Sequence, residues 1–209
     1  MGARYRGKLV IIAITGGYGS GKSCVSRLLA SSLDATLTNL DSLCRRLLEP
    51  EQEAFVQMGR VFGDRFLAED GTIDRVLLRK VTFSDDTIKS QLEQILHPLV
   101  RDKVRKQAKI CSQKNSFLVV EVPLLFEVGW QDDFDVVVVV RVTRETSIQR
   151  AVKRDGIGRE EAERIIALQL PMSCKEPLAD YIIDNNSIFI STAQQVAWLA
   201  TNLSAKSIT

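Results

Sequence analysis

A glycine-rich segment that ends in lysine and serine carries the clearest chemistry in the sequence. Residues 16–23 read GGYGSGKS and fit the phosphate-loop pattern GxxxxGK[ST] at every fixed position. Glycine tolerates backbone dihedrals that other residues avoid, so successive N–H groups can turn toward one anion. In such a loop the lysine reaches the β- and γ-phosphates of a nucleotide, and the serine hydroxyl binds Mg²⁺. The residues predicted to hold the phosphates and the metal are Gly17, Gly19, Ser20, Gly21, Lys22 and Ser23.

The elements on both sides of this segment are those that a phosphate loop needs. Residues 9–14 form a short apolar run typical of a strand, and residues 22–31 carry Val25, Leu28 and Leu29 at helical spacing. The N-terminus of that helix adds a dipole that favours an anion. The alternative is a glycine-rich turn without a ligand, and the order of strand, loop and helix favours phosphate binding.

Asp41 is the best acid or base candidate in the chain. Residues 35–39 (ATLTN) read as a short strand, and a helix is predicted from Ser42 to Leu48. Ligands bind at the carboxyl edge of a parallel sheet, which is where Asp41 would then lie. The alternative is that Asp41 only caps the helix that starts at Ser42, and its position alone leaves both roles open.

Two further apolar runs predict buried strands. Residues 117–122 (FLVVEV) and 136–142 (VVVVVRV) are rich in β-branched residues, as in strands covered on both faces of a parallel sheet. Between them Glu127 lies in a loop at the binding edge, where it either has a functional role or only pairs with a nearby cation. A last strand is predicted at 181–184 and a last amphipathic helix at about 192–203. This order of elements predicts an α/β fold.

Two charged helices joined by a glycine turn are predicted after the fourth strand. Thr143 is the predicted N-cap of a helix that ends near residue 155, and Arg150 and Arg154 lie on one face of it. A second helix is predicted over 159–169. Arginines on such a pair suit a mobile lid that closes over phosphates, and a solvated helical face has the same pattern. The phosphate loop favours the lid.

The segment 52–112 is helical in pattern almost throughout, with Gly63, Gly71 and Pro98 as interruptions. It is too long for a crossover between two strands and predicts an inserted helical subdomain. His97 is the only histidine and lies at the predicted break before Pro98. It has no Cys or Ser partner in its sequence context, which is more typical of a structural histidine than of a catalytic one.

The composition is that of an ordinary globular protein, with 209 residues, 26% charged and 45% hydrophobic, and a net charge of +2. The length suits one α/β core with appendages, and the charge does not suggest a nucleic-acid partner. Its four cysteines form no CxxC pair, which indicates neither zinc nor disulfides and fits a reducing cytoplasm. No segment reaches the roughly 18 apolar residues of a membrane span. Basic residues before the first apolar run superficially resemble a signal peptide, but cleavage there would destroy the phosphate loop.

Taken together, the motifs resemble those of the dephospho-coenzyme A kinase family, which completes coenzyme A biosynthesis. The resemblance extends from the phosphate loop to the C-terminal helix. The phosphate loop alone indicates only a nucleotide, whereas the order HPL, PLLFE and QRxxxRD is much more specific. The matching segments are TGGYGSGKS (15–23), NLDSLCRR (39–46), DRVLLRKVTF (74–83), LHPLV (96–100), PLLFE (123–127), QRAVKRD (149–155), Gln169 and ADYIIDNN (179–186).

The resemblance implies a P-loop kinase of the nucleoside-monophosphate-kinase type with a three-layer α/β fold. Its parts would be a five-stranded parallel core (about 9–50, 115–142 and 178–205), a helical substrate-binding subdomain (about 51–114) and a helical lid (about 146–175). With Mg²⁺, ATP would donate its γ-phosphoryl group to the ribose 3′-hydroxyl of dephospho-coenzyme A. The protein would be a cytoplasmic monomer or weak homo-oligomer, with neither nucleic acid nor membrane as a partner.

The resemblance also implies roles for individual residues. The family's catalytic carboxylate falls on Asp41 and its lid arginine on Arg150, and Lys22 completes the catalytic set. The ATP contacts extend beyond the loop to Cys24, Arg150 and Asn185. The residues expected to bind the substrate are Thr15, Asp41, Arg45, Arg79, Phe83 and His97.

Three positions depart from the family pattern. Asn39 stands where the family commonly has a first Asp, Cys24 where it has Thr, and Ser187 where it has Gly. None of these changes removes a part that the chemistry requires.

Two rival functions remain at this stage. The first is a P-loop kinase for another acceptor, such as a nucleoside monophosphate or a sugar acid, because acceptor choice lies in the helical insert. The second is a nucleotide-dependent switch. A GTPase switch would carry an NKxD motif and a motor ATPase an apolar strand that ends in Asp, and the sequence has neither, since the strand at 117–122 carries Glu121 and leads into Pro123.

Overall fold

The computed structural model of the protein describes residues 10–114 and 116–207. Five strands form one parallel sheet in the order β2-β3-β1-β4-β5. The predicted α/β fold with a five-stranded parallel sheet is confirmed, and the predicted start of the first strand at residue 9 lies outside the described residues. The strands are β1 (Ile11–Gly16), β2 (Thr36–Asn39), β3 (Leu118–Glu121), β4 (Val136–Arg141) and β5 (Tyr181–Asp184).

The predicted helices are present with shifts at their ends, and the short helix Met172–Lys175 was not predicted. The largest shift is in the last helix, which begins three residues before the predicted start at 192 and ends four residues after 203. The helices are α1 (Lys22–Ser32), α2 (Leu40–Leu47), α3 (Glu53–Phe62), α4 (Arg75–Ser84), α5 (Asp86–Gln113), α6 (Arg144–Asp155), α7 (Arg159–Ala167), α8 (Met172–Lys175) and α9 (Phe189–Ser207).

The central strands are buried on both faces. β1 lies between β3 and β4, and all four residues of β3 are buried. This burial explains the uninterrupted β-branched runs, because strands covered by helices on both faces have no solvent side to alternate with. On the sheet, α1 and α9 contribute Val25, Leu29, Val196 and Leu199 to the same buried core as Ile12.

Contacts between residues divide the chain into two units. A sheet unit holds the described residues up to Asn39 and from Ala108 onward, and a helical unit holds Leu40–Gln107. The helical unit contains α2, α3, α4 and most of α5. Within it Asp74 caps α4 by accepting hydrogen bonds from Val76 N at 3.0 Å and Leu77 N at 2.9 Å.

Pro98 lies inside α5, so the predicted helix break before it is wrong. Proline removes one backbone donor and crowds the carbonyl four residues earlier, at a cost of about 3 kcal/mol. On this helix Ile88 and Ile95 before the proline, and Val100 and Val104 after it, are all buried. Burial of such side chains contributes about 1.5–3 kcal/mol each. Packing therefore outweighs the local cost, and the helix continues.

The two helices predicted as a lid are α6 and α7 in the sheet unit. Thr143 Oγ1 accepts a hydrogen bond from Thr146 N at 3.2 Å, which confirms Thr143 as the N-cap of α6. Gly156 ends α6 with a φ of 67°. Between α6 and α7 lies a small apolar cluster of Ile148, Ala151 and Ala162.

Among the helices of the described residues, none combines the length and the apolar character needed to cross a membrane.

Candidate functional site

The phosphate loop connects the end of β1 to the start of α1. Gly19 and Gly21 have φ angles of 73° and 87°, in the left-handed region that favours glycine. A Cβ on Gly19 would lie 2.5 Å from the Ser147 carbonyl oxygen, and a Cβ on Gly21 would lie 2.3 Å from Asn185 Nδ2. Both positions therefore require glycine, for conformation and for space.

The loop also has the donors and the charge that bind phosphate. In the described part of the chain no side chain caps the N-terminus of α1, and the first turn of this helix holds no acidic residue. The first backbone N–H groups of a helix have no partner inside it and attract an anion together with the helix dipole. Lys22 Nζ donates to the carbonyl oxygens of Gly16 at 3.1 Å and Gly17 at 2.8 Å, which holds the ammonium against the loop.

A buried carboxylate that was not predicted for the site, that of Glu121, lies beside the loop. Ser23 Oγ donates to Glu121 Oε1 at 2.7 Å, and Ser26 Oγ donates to Oε2 at 3.1 Å. Glu121 is 5% exposed and ends β3, the neighbour of β1. The available signal was an acidic residue at the end of an otherwise apolar strand. In P-loop proteins an aspartate at such a strand end helps to hold Mg²⁺.

Ser23 and Glu121 together fit a magnesium site. Mg²⁺ prefers oxygen ligands, and in nucleotide-dependent enzymes one or two carboxylates and the substrate phosphates hold it. A hydroxyl and a carboxylate oxygen 2.7 Å apart, beside the phosphate loop, supply this kind of donor. The predicted metal ligand Ser23 therefore has a partner of suitable chemistry.

A cavity of about 440 Å³ lies between the phosphate loop and α6. Its lining consists of Gly19, Gly21, Arg150, Lys153 and Arg154. The three cations lie at helical spacings of three and four residues, so they share one face of α6. Lys153 was not predicted for this site, because its type and spacing are also those of a solvated helix face.

Asn185, directly after β5, forms hydrogen bonds with the phosphate loop and with Arg150 of the cavity. Its Nδ2 donates to the Ser20 carbonyl oxygen at 2.8 Å, and its Oδ1 accepts from Thr192 Oγ1 at 2.8 Å. Arg150 Nη2 donates to the Asn185 carbonyl oxygen at 2.9 Å. The structure thus brings together Asn185, Arg150 and the phosphate loop, three of the elements predicted to bind ATP.

Thr15, near the end of β1, and Ser20, within the phosphate loop, are both fully buried. Neither side-chain oxygen has a hydrogen-bond partner within the described residues. The complete burial of Thr15 in β1 gives no support to its predicted substrate contact. Cys24, in the first turn of α1, is half-buried and a free thiol.

Glu127 forms an ion pair, which was one of the two roles considered for it. Lys175 Nζ lies 2.7 Å from Glu127 Oε1, and Leu170 N donates to the same oxygen at 3.0 Å. Lys175 is fully buried. The pair therefore joins the loop after β3 to the segment that follows α7.

Asp41 lies in the first turn of α2, and the predicted start of this helix at Ser42 is wrong. The helix begins at Leu40 instead of Ser42, so Asp41 is inside the helix. A carboxylate in the first turn is favourable through the helix dipole. Burial, together with the charge of Asp41, raises the pKa of the nearby Cys44 thiol to about 11, so this cysteine stays protonated at neutral pH.

The other predicted substrate residues also lie in the helical unit. The Arg79 guanidinium stacks over the ring of Phe83 at 5.7 Å, and this ring is 64% exposed. Arg45 is exposed, and its carbonyl oxygen accepts a hydrogen bond from Arg75 Nη2 at 3.4 Å. His97 is half-buried on α5, where burial is the main cause of a pKa below its ordinary value.

The sequence matches a family model. The model described as dephospho-CoA kinase matches residues 10–190. Among curated relatives, the dephospho-CoA kinase of Desulfotalea psychrophila is 38% identical over 191 residues, which cover 91% of this chain and 96% of that one.

Solved structures agree with the sequence match. The dephospho-CoA kinase of Campylobacter jejuni has a TM-score of 0.70 and 26% identity, and the alignment covers 93% of this chain and 97% of that one. The Thermus thermophilus protein TT1252 has a TM-score of 0.80 and 29% identity, with 95% and 98% of the two chains covered.

Proposed function

Because the chain belongs to the dephospho-CoA kinase family, we propose that it transfers the γ-phosphoryl group of ATP to the ribose 3′-hydroxyl of dephospho-coenzyme A. The family is one of kinases, and its activity belongs to coenzyme A biosynthesis. The observation that carries the proposal is the phosphate loop with Arg150 and Asn185 beside it.

The phosphate side of the reaction rests on the sheet unit. The loop N–H groups and Lys22 bind the β- and γ-phosphates, and Arg150 neutralises the charge that develops during transfer. Phosphoryl transfer needs little covalent help from the protein, so this positioning and charge neutralisation supply most of the catalysis. The burial of Glu121 beside Ser23 supports a metal role for both residues.

Ser23 and Glu121 would hold Mg²⁺, and the bound ion would neutralise charge on the phosphates. The remaining ATP contacts in the proposal are Gly17, Gly19, Ser20, Gly21, Cys24 and Asn185.

The acceptor side rests on Asp41. The acceptor oxygen bonds to the γ-phosphorus as the bond from that phosphorus to the β–γ bridging oxygen breaks, and ADP leaves. The proton of the acceptor hydroxyl passes to the Asp41 carboxylate, a contribution of roughly 10²–10⁴-fold. Asp41 is exposed at the start of α2, directly after the carboxyl end of β2.

The substrate contacts are proposed for the helical unit. The exposed Phe83 ring with Arg79 against it offers an apolar face and a cation to the nucleotide part of dephospho-coenzyme A. Arg45 and His97 are the other substrate-binding residues proposed for this unit. Thr15, which lies in the sheet unit, stays a predicted substrate contact.

The deciding experiment is ADP release by the purified protein with Mg²⁺ and ATP. Dephospho-coenzyme A is compared with AMP, CMP, shikimate and no acceptor, and a chelator removes the metal in a parallel series. Turnover confined to dephospho-coenzyme A, with coenzyme A as product and with loss on chelation, is expected. Activity only with another acceptor would overturn the assignment of dephospho-coenzyme A as the substrate. Turnover that is equally fast without any acceptor would favour a nucleotide switch.

We further propose a cytoplasmic protein that works as a monomer or weak homo-oligomer and binds neither nucleic acid nor membrane. Light scattering after gel filtration tests the oligomeric state.

A further inference from the structure

Tyr18, the third residue of the phosphate loop, contacts the lid helices through its backbone. Its N–H donates to Gln169 Oε1 at 2.7 Å, just beyond the end of α7. Its carbonyl oxygen accepts a hydrogen bond from Ser147 Oγ of α6. The loop and the lid therefore meet at this residue, and the close approach of Gly19 to the Ser147 carbonyl shows the same tight packing.

The side chain of Tyr18 contacts two adjacent charged residues at the end of α6. The Arg154 guanidinium lies over the ring, 5.0 Å from its centre, and the hydroxyl donates to Asp155 Oδ2. Arg154 also donates from Nε and Nη2 to the two carboxylate oxygens of Asp155, each at 2.8 Å. Burial and the hydrogen bond to Asp155 raise the pKa of Tyr18, so the hydroxyl stays protonated and remains a donor.

The position of Arg154 gives these contacts a functional meaning. Its side chain lines the cavity beside Gly19 and Gly21, where the phosphates of ATP bind in the proposed function. The side chain is 60% exposed, and an exposed arginine without contacts samples many rotamers. Stacking on a rigid ring restricts those rotamers, while Asp155 fixes the plane of the guanidinium.

We propose that Tyr18 is a positioning residue that holds Arg154 at the phosphate cavity, so that this arginine joins Arg150 in binding ATP. The inference rests on the proposed function, because it takes ATP as the nucleotide. Tyr18 itself need not touch the nucleotide, since its ring and hydroxyl act on the Arg154–Asp155 pair.

The alternative is that Tyr18 only fastens the lid to the loop. In that case the loss of the Tyr18 side chain lowers the stability of the fold, and its effect on ATP affinity is the same with or without Arg154. A double-mutant cycle separates the two possibilities, because residues that act through one another have non-additive effects.

The cycle uses Tyr18→Leu, Arg154→Met and the double variant, with Tyr18→Phe as the variant that keeps the ring. Arg159→Met is the matched control, because Arg159 pairs with Glu145 and Glu163 on the lid and does not line the cavity. ATP affinity is measured by calorimetric titration without acceptor, kcat and KM by ADP release, and folding by the thermal midpoint.

Tyr18→Leu should raise the Kd for ATP about three- to fivefold, the size expected for one exposed cation–π contact. Tyr18→Phe should change it less than about twofold, and Arg159→Met should leave it unchanged. In the Arg154→Met background, Tyr18→Leu should have no further effect on ATP affinity.

Additive effects of Tyr18→Leu and Arg154→Met on ATP affinity would overturn the inference. A Tyr18→Phe effect as large as that of Tyr18→Leu would overturn the role of the ring, because only the hydroxyl is lost in that variant. If Tyr18→Leu does not fold, Arg154→Met alone decides, because an unchanged Kd for ATP would then refute the role of Arg154. The wild-type protein tells the two proposals apart. If it binds ATP but does not phosphorylate dephospho-coenzyme A, the proposed function is wrong, and the role of Tyr18 in ATP binding can still be tested.

Discussion

Glu121→Gln changes the charge at the proposed metal site and almost nothing else. The amide has the shape of the carboxylate, its oxygen can still accept from Ser23, and its nitrogen can donate to Ser26 Oγ. Both hydrogen bonds at this 5%-exposed position can therefore be kept, and the negative charge is lost. We expect the variant to fold about as well as the wild type, because the easier burial of a neutral amide offsets its weaker hydrogen bonds.

The expected change in Mg²⁺ requirement follows from the strength of these hydrogen bonds. A bond to a charged acceptor is worth about 1.5–3 kcal/mol and a neutral one about 0.5–1.5 kcal/mol. A hydroxyl bound to Mg²⁺ is a stronger donor, so the charged acceptor matters most in the metal-bound state, and we take the difference of about 1–1.5 kcal/mol as the loss in Mg²⁺ binding. Since about 1.4 kcal/mol is a factor of ten, the Mg²⁺ concentration needed for half-maximal rate should rise about tenfold.

The assay is ADP release with saturating dephospho-coenzyme A at a series of Mg²⁺ concentrations. Glu163→Gln is the matched control, because Glu163 is a carboxylate on α7 that pairs with Arg159 on the protein surface. The Glu121 variant should regain most of its rate at high Mg²⁺, and the control should follow the wild type. A Glu121→Gln curve that superimposes on the wild-type curve would refute the metal role, and a lower thermal midpoint would refute the assumption that the hydrogen bonds persist.

Three further predictions concern the acceptor, the buried ion pair and α5. Asp41→Asn should lower kcat roughly 10²–10⁴-fold with little change in ATP affinity, because only deprotonation of the acceptor is lost. An unchanged kcat in the ADP-release assay would remove Asp41 from the chemistry. Lys175→Met should lower the free energy of unfolding in urea by about 3–5 kcal/mol, because it leaves the Glu127 carboxylate unpaired, and the addition of Glu127→Gln should recover most of this loss. A double variant no more stable than Lys175→Met contradicts that account. Pro98→Ala should raise stability by about 1–3 kcal/mol, because alanine restores a backbone donor inside a helix, whereas a lower thermal midpoint would mean that the proline ring itself packs favourably.

The parts of the molecule that could be predicted depend on local rules. The phosphate loop is specified by glycines at fixed offsets, and the buried strands by runs of β-branched residues. Thr143 was predictable as an N-cap because the capping hydrogen bond spans only three residues. Each of these signals lies within about ten residues of sequence.

The parts that escaped prediction depend on contacts far apart in the chain. Glu121 and Ser23 are separated by 98 positions, and only the adjacency of β1 and β3 brings them together. Lys153 lines the cavity because of how α6 packs on the loop, which its own sequence does not reveal. Pro98 was misjudged for the same reason, since the burial that keeps α5 continuous is a property of the whole fold.

The Glu127–Lys175 ion pair also restricts the order in which this protein can change during evolution. Lys175 is buried with the Glu127 carboxylate beside it, so the loss of either charge alone leaves the other without its ionic partner. A lineage that began with one such mutation would pass through a poorly folded ancestor. Replacement of both by apolar residues would be tolerated, yet single mutations cannot reach that state without crossing this barrier. The two positions are therefore expected to be inherited as one unit, and a homologue that lacks one member of the pair should lack the other as well.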